Sequence, residues 1–432
     1  MKPVLIAFFS AMIFVTLRSG AQELTTKYIP SSKPDRIVLN LIGDPATTMA
    51  VTWRTDTTVS GTVARLSLNI PGVLMADSAL AVTGSSQDVT YDGVTARFHS
   101  VIFTGLTPGT GYAYSAGTGA NASEWFTFRT AEAGDAPFSF LWFGDSQVGP
   151  VSSYARVIRQ AYRSAPEAAF MLFTGDLVDG GYATKTLDDE WGDWHRAAGF
   201  IASEVPVVAT PGNHEFYNPH DRLKRDFNIY WRPGFTLPEN GPAGLEETAY
   251  SFDYQGVRFI IISSDQMLRD EAIARSQTEW VESLLKDNPC NWTVMAFHHP
   301  FFSTAARRDN KIVRENLKPL VDRYGVDLVL NGHDHTYARG MVMPDGIERR
   351  GKMAGTVYVV SVSGSKQYRQ DAEPWWEAGY TNTQFWQTIT VHGNKLIFKA
   401  FDASGALADQ FMLTRKKNGS NRIGLPPADK TK

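Results

Sequence analysis

The sequence holds a single cysteine, Cys290, in 432 residues. One thiol excludes an intramolecular disulfide and a cysteine-rich zinc site, so any metal must be held by His, Asp, Glu or Asn. Neither sign of charge is in marked excess: 42 Lys and Arg face 45 Asp and Glu, a formal net charge of −3. That disfavours a nucleic-acid partner bound through bulk positive charge. No G-x-S-x-G and no P-loop occurs, which sets aside serine-nucleophile and P-loop chemistry. No apolar stretch reaches the roughly 20 residues that a transmembrane helix needs. The run from Val4 to Leu17 is shorter. With Lys2 before it and Ser19-Gly20-Ala21 after it, residues 1–21 read as a cleaved secretory signal, and the expectation is a secreted or periplasmic protein.

A composition of 43% hydrophobic and 12% aromatic residues is that of a folded chain, and the length suggests two or three domains. Over residues 34–131 the pattern is short and period-two, as in Met49-Ala50-Val51-Thr52-Trp53 and Trp125-Phe126-Thr127-Phe128, with turn residues at Gly43-Asp44-Pro45, Asp92-Gly93 and Pro108-Gly109. This spacing predicts an all-β sandwich. The Val51-Thr52-Trp53 run and the segment Leu106 to Tyr112 resemble a fibronectin type III-like domain, with its buried Trp and tyrosine corner. Past a linker at 132–137 the pattern changes over 136–414 to apolar runs alternating with helical stretches, which predicts an α/β domain. Strands are expected at Phe138–Phe143, Ala168–Phe173, Pro206–Ala209, Val257–Ile262, Trp292–Phe297, Val326–Leu330 and Val357–Val362. Residues 415–432, with six basic side chains against Asp429, read as a solvated basic tail.

Chemistry concentrates where these strands end. Gly144-Asp145-Ser146-Gln147, Gly175-Asp176-Leu177-Val178-Asp179, Gly212-Asn213-His214-Glu215, His298-His299-Pro300 and Asn331-Gly332-His333-Asp334-His335 each follow an expected strand. In open α/β sheets, ligands bind outside the carboxyl ends of strands, so the clusters should share one rim. Carboxylate, imidazole and amide oxygen are the donor types of a two-metal site in which one carboxylate bridges both ions. Of the adjacent pair, His298 is the expected ligand. His299 should point away if the segment is extended.

These clusters, together with Glu190-Trp191-Gly192-Asp193-Trp194, Ala249 to Tyr254 and the run His333 to Arg339, resemble the calcineurin-like metallophosphoesterases, specifically purple acid phosphatases with a fibronectin-like N-terminal domain. The resemblance spans about Pro34 to Leu413. It implies an α/β phosphoesterase domain built as a β-sheet sandwich flanked by helices. It also implies a first metal on Asp145, Asp176 and His335 and a second on Asp176, Asn213, His298 and His333, with Asp176 bridging. His214 then contacts the phosphate or protonates the leaving group. The ions would be two divalent or trivalent metals drawn from Fe, Zn or Mn. Tyr337 and Arg339 are further candidates for substrate contact.

Two departures stand out. Asp179 occupies the place of the tyrosine that gives the family its colour, so a purple tyrosinate–iron(III) centre is not expected. Gln147 stands where relatives carry Gly or His. Either Gln147 or Asp179 completes the first metal's ligands or supports them from outside. The expected activity is phosphomonoester hydrolysis by in-line attack of hydroxide generated on the metals, on a phosphate-ester substrate. The same scaffold admits a phosphodiesterase or nucleotide hydrolase, and a third reading is a surface-binding protein whose sandwich does the binding.

Overall fold

The computed structural model describes residues 26–181, 186–217, 226–342, 353–371 and 375–427. The segment read as a signal lies outside them, as does His220. The N-terminal strands are β1 (Asp35–Asn40), β2 (Met49–Thr55), β3 (Val63–Leu68), β4 (Leu80–Thr83), β5 (Ser85–Tyr91), β6 (Val94–Phe103), β7 (Gly111–Ala116) and β8 (Phe126–Arg129). They form two facing sheets, β1-β2-β6-β5 and β4-β3-β7-β8. Both expected marks of this sandwich are present. Trp53 is buried and stacks on His99 at 5.0 Å, and the Thr107 N–H donates to the Tyr112 hydroxyl at 2.9 Å, closing the tyrosine corner.

The second half contributes β9 (Phe138–Phe143), β10 (Met171–Phe173), β11 (Val207–Ala209), β12 (Tyr250–Tyr254), β13 (Val257–Ile262), β14 (Trp292–Phe297), β15 (Leu328–Asn331), β16 (Tyr337–Val342), β17 (Met353–Ala354), β18 (Thr356–Val360), β19 (Ala378–Tyr380), β20 (Phe385–His392), β21 (Lys395–Asp402), β22 (Leu407–Arg415) and β23 (Asn421–Gly424). One sheet runs β12-β13-β14-β15-β18-β16-β19, with β13, β14, β15 and β18 parallel. The other runs β17-β23-β22-β21-β20-β9-β10-β11 and continues through β1 into the sandwich, making twelve strands. Aromatic side chains fill the layer between the sheets: Phe140 and Phe170 meet Phe259 edge-on at 5.3 and 5.2 Å. Such pairs add about 0.5–1.5 kcal/mol to the burial of their area.

Residues 415–424, read from composition as a solvated tail, are built into the sheet instead. β23 pairs with β22. The Arg415 guanidinium lies 4.8 Å from the Trp292 ring and 2.7 Å from the buried Asp327 carboxylate, to which Asn421 also donates. A buried carboxylate needs such partners, and sequence charge alone does not reveal them.

Candidate metal centre

Parallel strands β9, β10 and β11 in one sheet, and β14, β15 and β18 in the other, deliver their following loops to one rim. The loops are tied to one another there. Gln147 N–H donates to the Asp176 carbonyl at 3.1 Å, Gly332 N–H to the His298 carbonyl at 3.1 Å, and Gly364 N–H to the Asp145 carbonyl at 2.7 Å. Two glycines are dictated by close approach. A Cβ on Gly212 would lie 2.2 Å from an Asp176 carboxylate oxygen, and one on Gly332 would lie 2.4 Å from an Asp145 oxygen. Four expected ligands, Asp145, Asp176, His333 and His335, take positive φ angles of 29° to 74°. Non-glycine residues held in that region cost of order 1–3 kcal/mol each and cluster at functional sites.

The side chains converge as the clusters imply. His298 Nε2 lies 3.2 Å from Asp176 Oδ2, 3.2 Å from Asn213 Oδ1 and 3.1 Å from His333 Nδ1. Its Nδ1 faces the Thr174 carbonyl at 2.8 Å. A carbonyl can only accept, so Nδ1 carries a proton and Nε2 is left facing Asp176 Oδ2, Asn213 Oδ1 and His333 Nδ1. His335 is fixed in the same way, with Nδ1 on the Lys366 carbonyl at 3.1 Å and Nε2 at 3.7 Å from Asp145 Oδ1. Gln147 Nε2 links Asp176 Oδ2, at 3.3 Å, to His335 Nε2, at 3.2 Å.

Oxygens and ring nitrogens gathered this closely call for a proton or a metal cation between them. Two buried oxygens in the cluster, Asp145 Oδ1 and Gln147 Oε1, have no hydrogen-bond partner, and buried polar atoms left so are rare in folded proteins. Burial pushes the Asp145 carboxyl well above its usual range, with His298 pulling the other way. Burial also opposes ionisation of Asp176, yet His298 and His214 hold its carboxyl below the usual range. His298 is raised to about 10: burial opposes its charge, and the Asp176 carboxylate overcomes that. His333 and His335 are held neutral by burial, His335 down to about 3, with Lys366 adding to the effect. The cluster thus draws positive charge to its centre while presenting neutral imidazoles, and the residues present fit a pair of metal ions.

His214 donates Nδ1–H to the Asp179 carbonyl at 2.8 Å, and its Nε2 lies 3.9 Å from Asp176 Oδ2. Tyr217 meets its ring edge-on at 4.8 Å. Glu215 was not singled out from sequence. It is fully buried, and its carboxylate accepts N–H groups from Asp176 at 2.9 Å, Leu177 at 2.8 Å and Gly212 at 2.7 Å, clamping the Asp176 loop to the Asn213 loop. Burial, with the neighbouring Asp176 carboxylate second, pushes it up to about 7.

Three expectations need correction. Tyr337 and Arg339 do not reach the pocket. The Tyr337 hydroxyl and the Arg339 guanidinium bind Asp409 at 2.8 to 2.9 Å, and Arg339 also binds Glu377 at 2.7 Å. Arg308 lines the pocket instead, with Tyr217, Lys366 and Tyr368. His299 does not point away. β14 ends at Phe297, so alternation no longer applies, and the His299 ring lies 4.3 Å from His333 while its Nδ1 meets Ser264 Oγ at 3.0 Å. Ligand nitrogens of His298, His299 and His333 fall within 4.8 Å of one another. The pocket above the cluster measures about 420 Å³, and Asp176, Asp179, Asn213, His214, His333 and His335 also line it.

Comparison with known proteins gives the same two-part division. Residues 34–130 match the purple acid phosphatase N-terminal domain, and residues 138–337 match the calcineurin-like phosphoesterases. The chain is 29% identical over 325 residues to an uncharacterized protein of Mycobacterium tuberculosis, across 68% of this chain and 60% of that one. It therefore spans about 60% of the length of this mycobacterial relative. A protein of Arabidopsis thaliana named "Probable purple acid phosphatase 20" is 26% identical over 339 residues, across 76% and 73% of the two chains. Among solved structures, the purple acid phosphatase PPD1 of yellow lupin superposes with a TM-score of 0.73 at 17% identity, over 90% of this chain and 75% of the other, a likeness of fold.

Proposed function

The chain carries a calcineurin-like phosphoesterase domain behind a purple acid phosphatase N-terminal domain, and from that premise we propose that it is an exported, metal-dependent phosphohydrolase acting on phosphomonoesters. The observation that carries this reading is the convergence of Asp145, Asp176, Asn213, His298, His333 and His335 on one pocket floor with buried oxygens left unpartnered. In this reading Asp145, Asp176 and His335 hold one ion and Asp176, Asn213, His298 and His333 the other, with Gln147 bracing the first. When bound, two such ions lower the pKa of a water to supply the nucleophile and offset phosphoryl charge in an in-line displacement.

The chain's own groups do the rest. His214, pinned through Nδ1 by the Asp179 carbonyl, presents Nε2 to the pocket, where an imidazolium can give its proton to the departing alkoxide. Glu215 keeps the Asp176 and Asn213 loops in register. Asp179 in place of a tyrosine leaves no phenolate for a charge-transfer colour, so an iron-loaded sample should lack that visible band. Export rests on the N-terminal pattern Lys2, Val4 to Leu17 and Ser19-Gly20-Ala21.

The test is hydrolysis of p-nitrophenyl phosphate against bis-p-nitrophenyl phosphate across pH 4–9, after chelation and reloading with Fe, Mn, Zn or Mg. Metal-dependent turnover of the monoester supports the reading. Preference for the diester moves the assignment to a phosphodiesterase, and silence on both with metals bound sinks it.

A further inference from the structure

Resting on that phosphohydrolase reading, we propose that Lys366 and Arg308 bind a second phosphate group of the substrate, so that the pocket selects compounds carrying two phosphates over simple monoesters. The two cations are mounted on one ring: Arg308 Cζ lies 4.9 Å and Lys366 Nζ 5.6 Å from the Tyr368 ring centroid. Tyr368 in turn meets His335 edge-on at 4.7 Å, which fixes the pair beside the metal ligands. All three residues line the pocket. Aromatic faces hold cations in place at modest cost in desolvation.

Charge balance separates this pair from the molecule's other arginines in comparable settings. Arg339 is matched by Asp409 and Glu377, and Arg54 by Asp35 and Asp188. Lys366 forms no ion pair among the described residues. Arg308 has one, from Nη1 to Asp334 Oδ1 at 3.2 Å, and the same nitrogen donates to the His333 carbonyl at 2.7 Å. Asp334 is itself shared, since it also accepts from Thr304 N and Ala305 N. Two metal ions would already meet the charge of one reacting phosphate, which leaves these side chains for another anion. Guanidinium and ammonium groups at a pocket wall are suited to phosphoryl oxygens. The second phosphate can be joined to the first as an anhydride or carried elsewhere on one organic skeleton.

The experiment titrates the metal-loaded full chain with inorganic phosphate and with pyrophosphate by calorimetry, and compares KM for p-nitrophenyl phosphate, pyrophosphate and fructose 1,6-bisphosphate. The proposal expects pyrophosphate to bind about tenfold or more tightly than phosphate, the size of one charge-assisted contact. Lys366→Met should reduce that ratio about tenfold and Lys366→Arg should restore it, with thermal melts confirming that each variant is folded. A response confined to pyrophosphate identifies the anhydride, and one confined to the bisphosphate identifies the separated pair. Equal affinities for phosphate and pyrophosphate, together with no KM advantage of the bisphosphate over p-nitrophenyl phosphate, overturn the proposal, as does a Lys366→Met variant weakened equally toward ligands with one and with two phosphates. Loss of the phosphohydrolase reading would show separately, as absent turnover of every ester, while the binding ratio still decides the role of Lys366.

Discussion

Two polar constellations in this molecule are each built on buried carboxylates and differ in completeness. At the seam between sandwich and phosphoesterase domain, the buried Arg54 donates to Asp35 at 2.6 and 2.8 Å, to Asp188 at 3.1 Å and to the Tyr28 carbonyl at 3.0 Å. Asp188 also takes Arg36 at 2.8 Å and the Thr26 hydroxyl at 2.7 Å. Apart from Arg36 Nε, the charged groups there have partners within the chain. At the rim, by contrast, the Asp176 and Asn213 oxygens and His333 Nδ1 crowd onto one nitrogen of His298, and buried oxygens of Asp145 and Gln147 have no partner. A buried network closed by the protein acts as scaffold; one that the protein leaves open points to a ligand of the missing charge.

That contrast can be broken at either end. Asp176→Asn should have the largest effect, cutting turnover on the order of 10³-fold or more by removing the carboxylate proposed to bridge the two ions. Metal analysis of the folded variant should show the loss. At the seam, Arg54→Met should leave metal content per folded chain intact and lower stability by about 3–5 kcal/mol, because Asp188 and Asp35 lose a buried partner; chemical denaturation measures it. His214→Ala should reduce kcat by roughly 10²–10⁴-fold while the metals stay bound. Metal loss as complete as in Asp176→Asn would show that His214 is a ligand instead. Glu215→Gln sharpens the comparison most finely. One carboxylate oxygen is replaced by an amide donor facing backbone N–H groups, and metal affinity should fall about 10- to 100-fold, read by competition with a chelator.

How far the sequence revealed these regions depended on whether their chemistry was local. Each ligand cluster directly follows an apolar strand, so sheet topology alone carries Asp145, Asp176, Asn213, His298, His333 and His335 to one rim. The Trp53 and Tyr112 marks of the sandwich were legible for the same reason. What stayed hidden depends on partners distant in sequence. Arg339 and Arg308 are equivalent as letters, and only the positions of Glu377 and Asp409, 38 and 70 residues on, neutralise the first. Lys366 and Tyr368 follow β18, an expected strand, but with no His in that loop and its Asp371 lying several residues further on, nothing marked them. Glu215 was visible only as a neighbour of His214 because its four backbone donors come from two loops. The passage of one sheet from β11 into β1 rests on a single parallel pairing, Asn40 with Val207, which no periodicity encodes.

The central claim is that the rim is completed by two cations. The most direct measurement is elemental analysis of the chelated chain after reloading, with the Asp176→Asn variant measured beside it and thermal unfolding followed in parallel. Two tightly held metal ions per wild-type chain, lost in the variant and accompanied by a higher Tm only in the wild type, is the predicted result. A folded wild-type chain that retains less than one ion, with a Tm indifferent to metal, would contradict it.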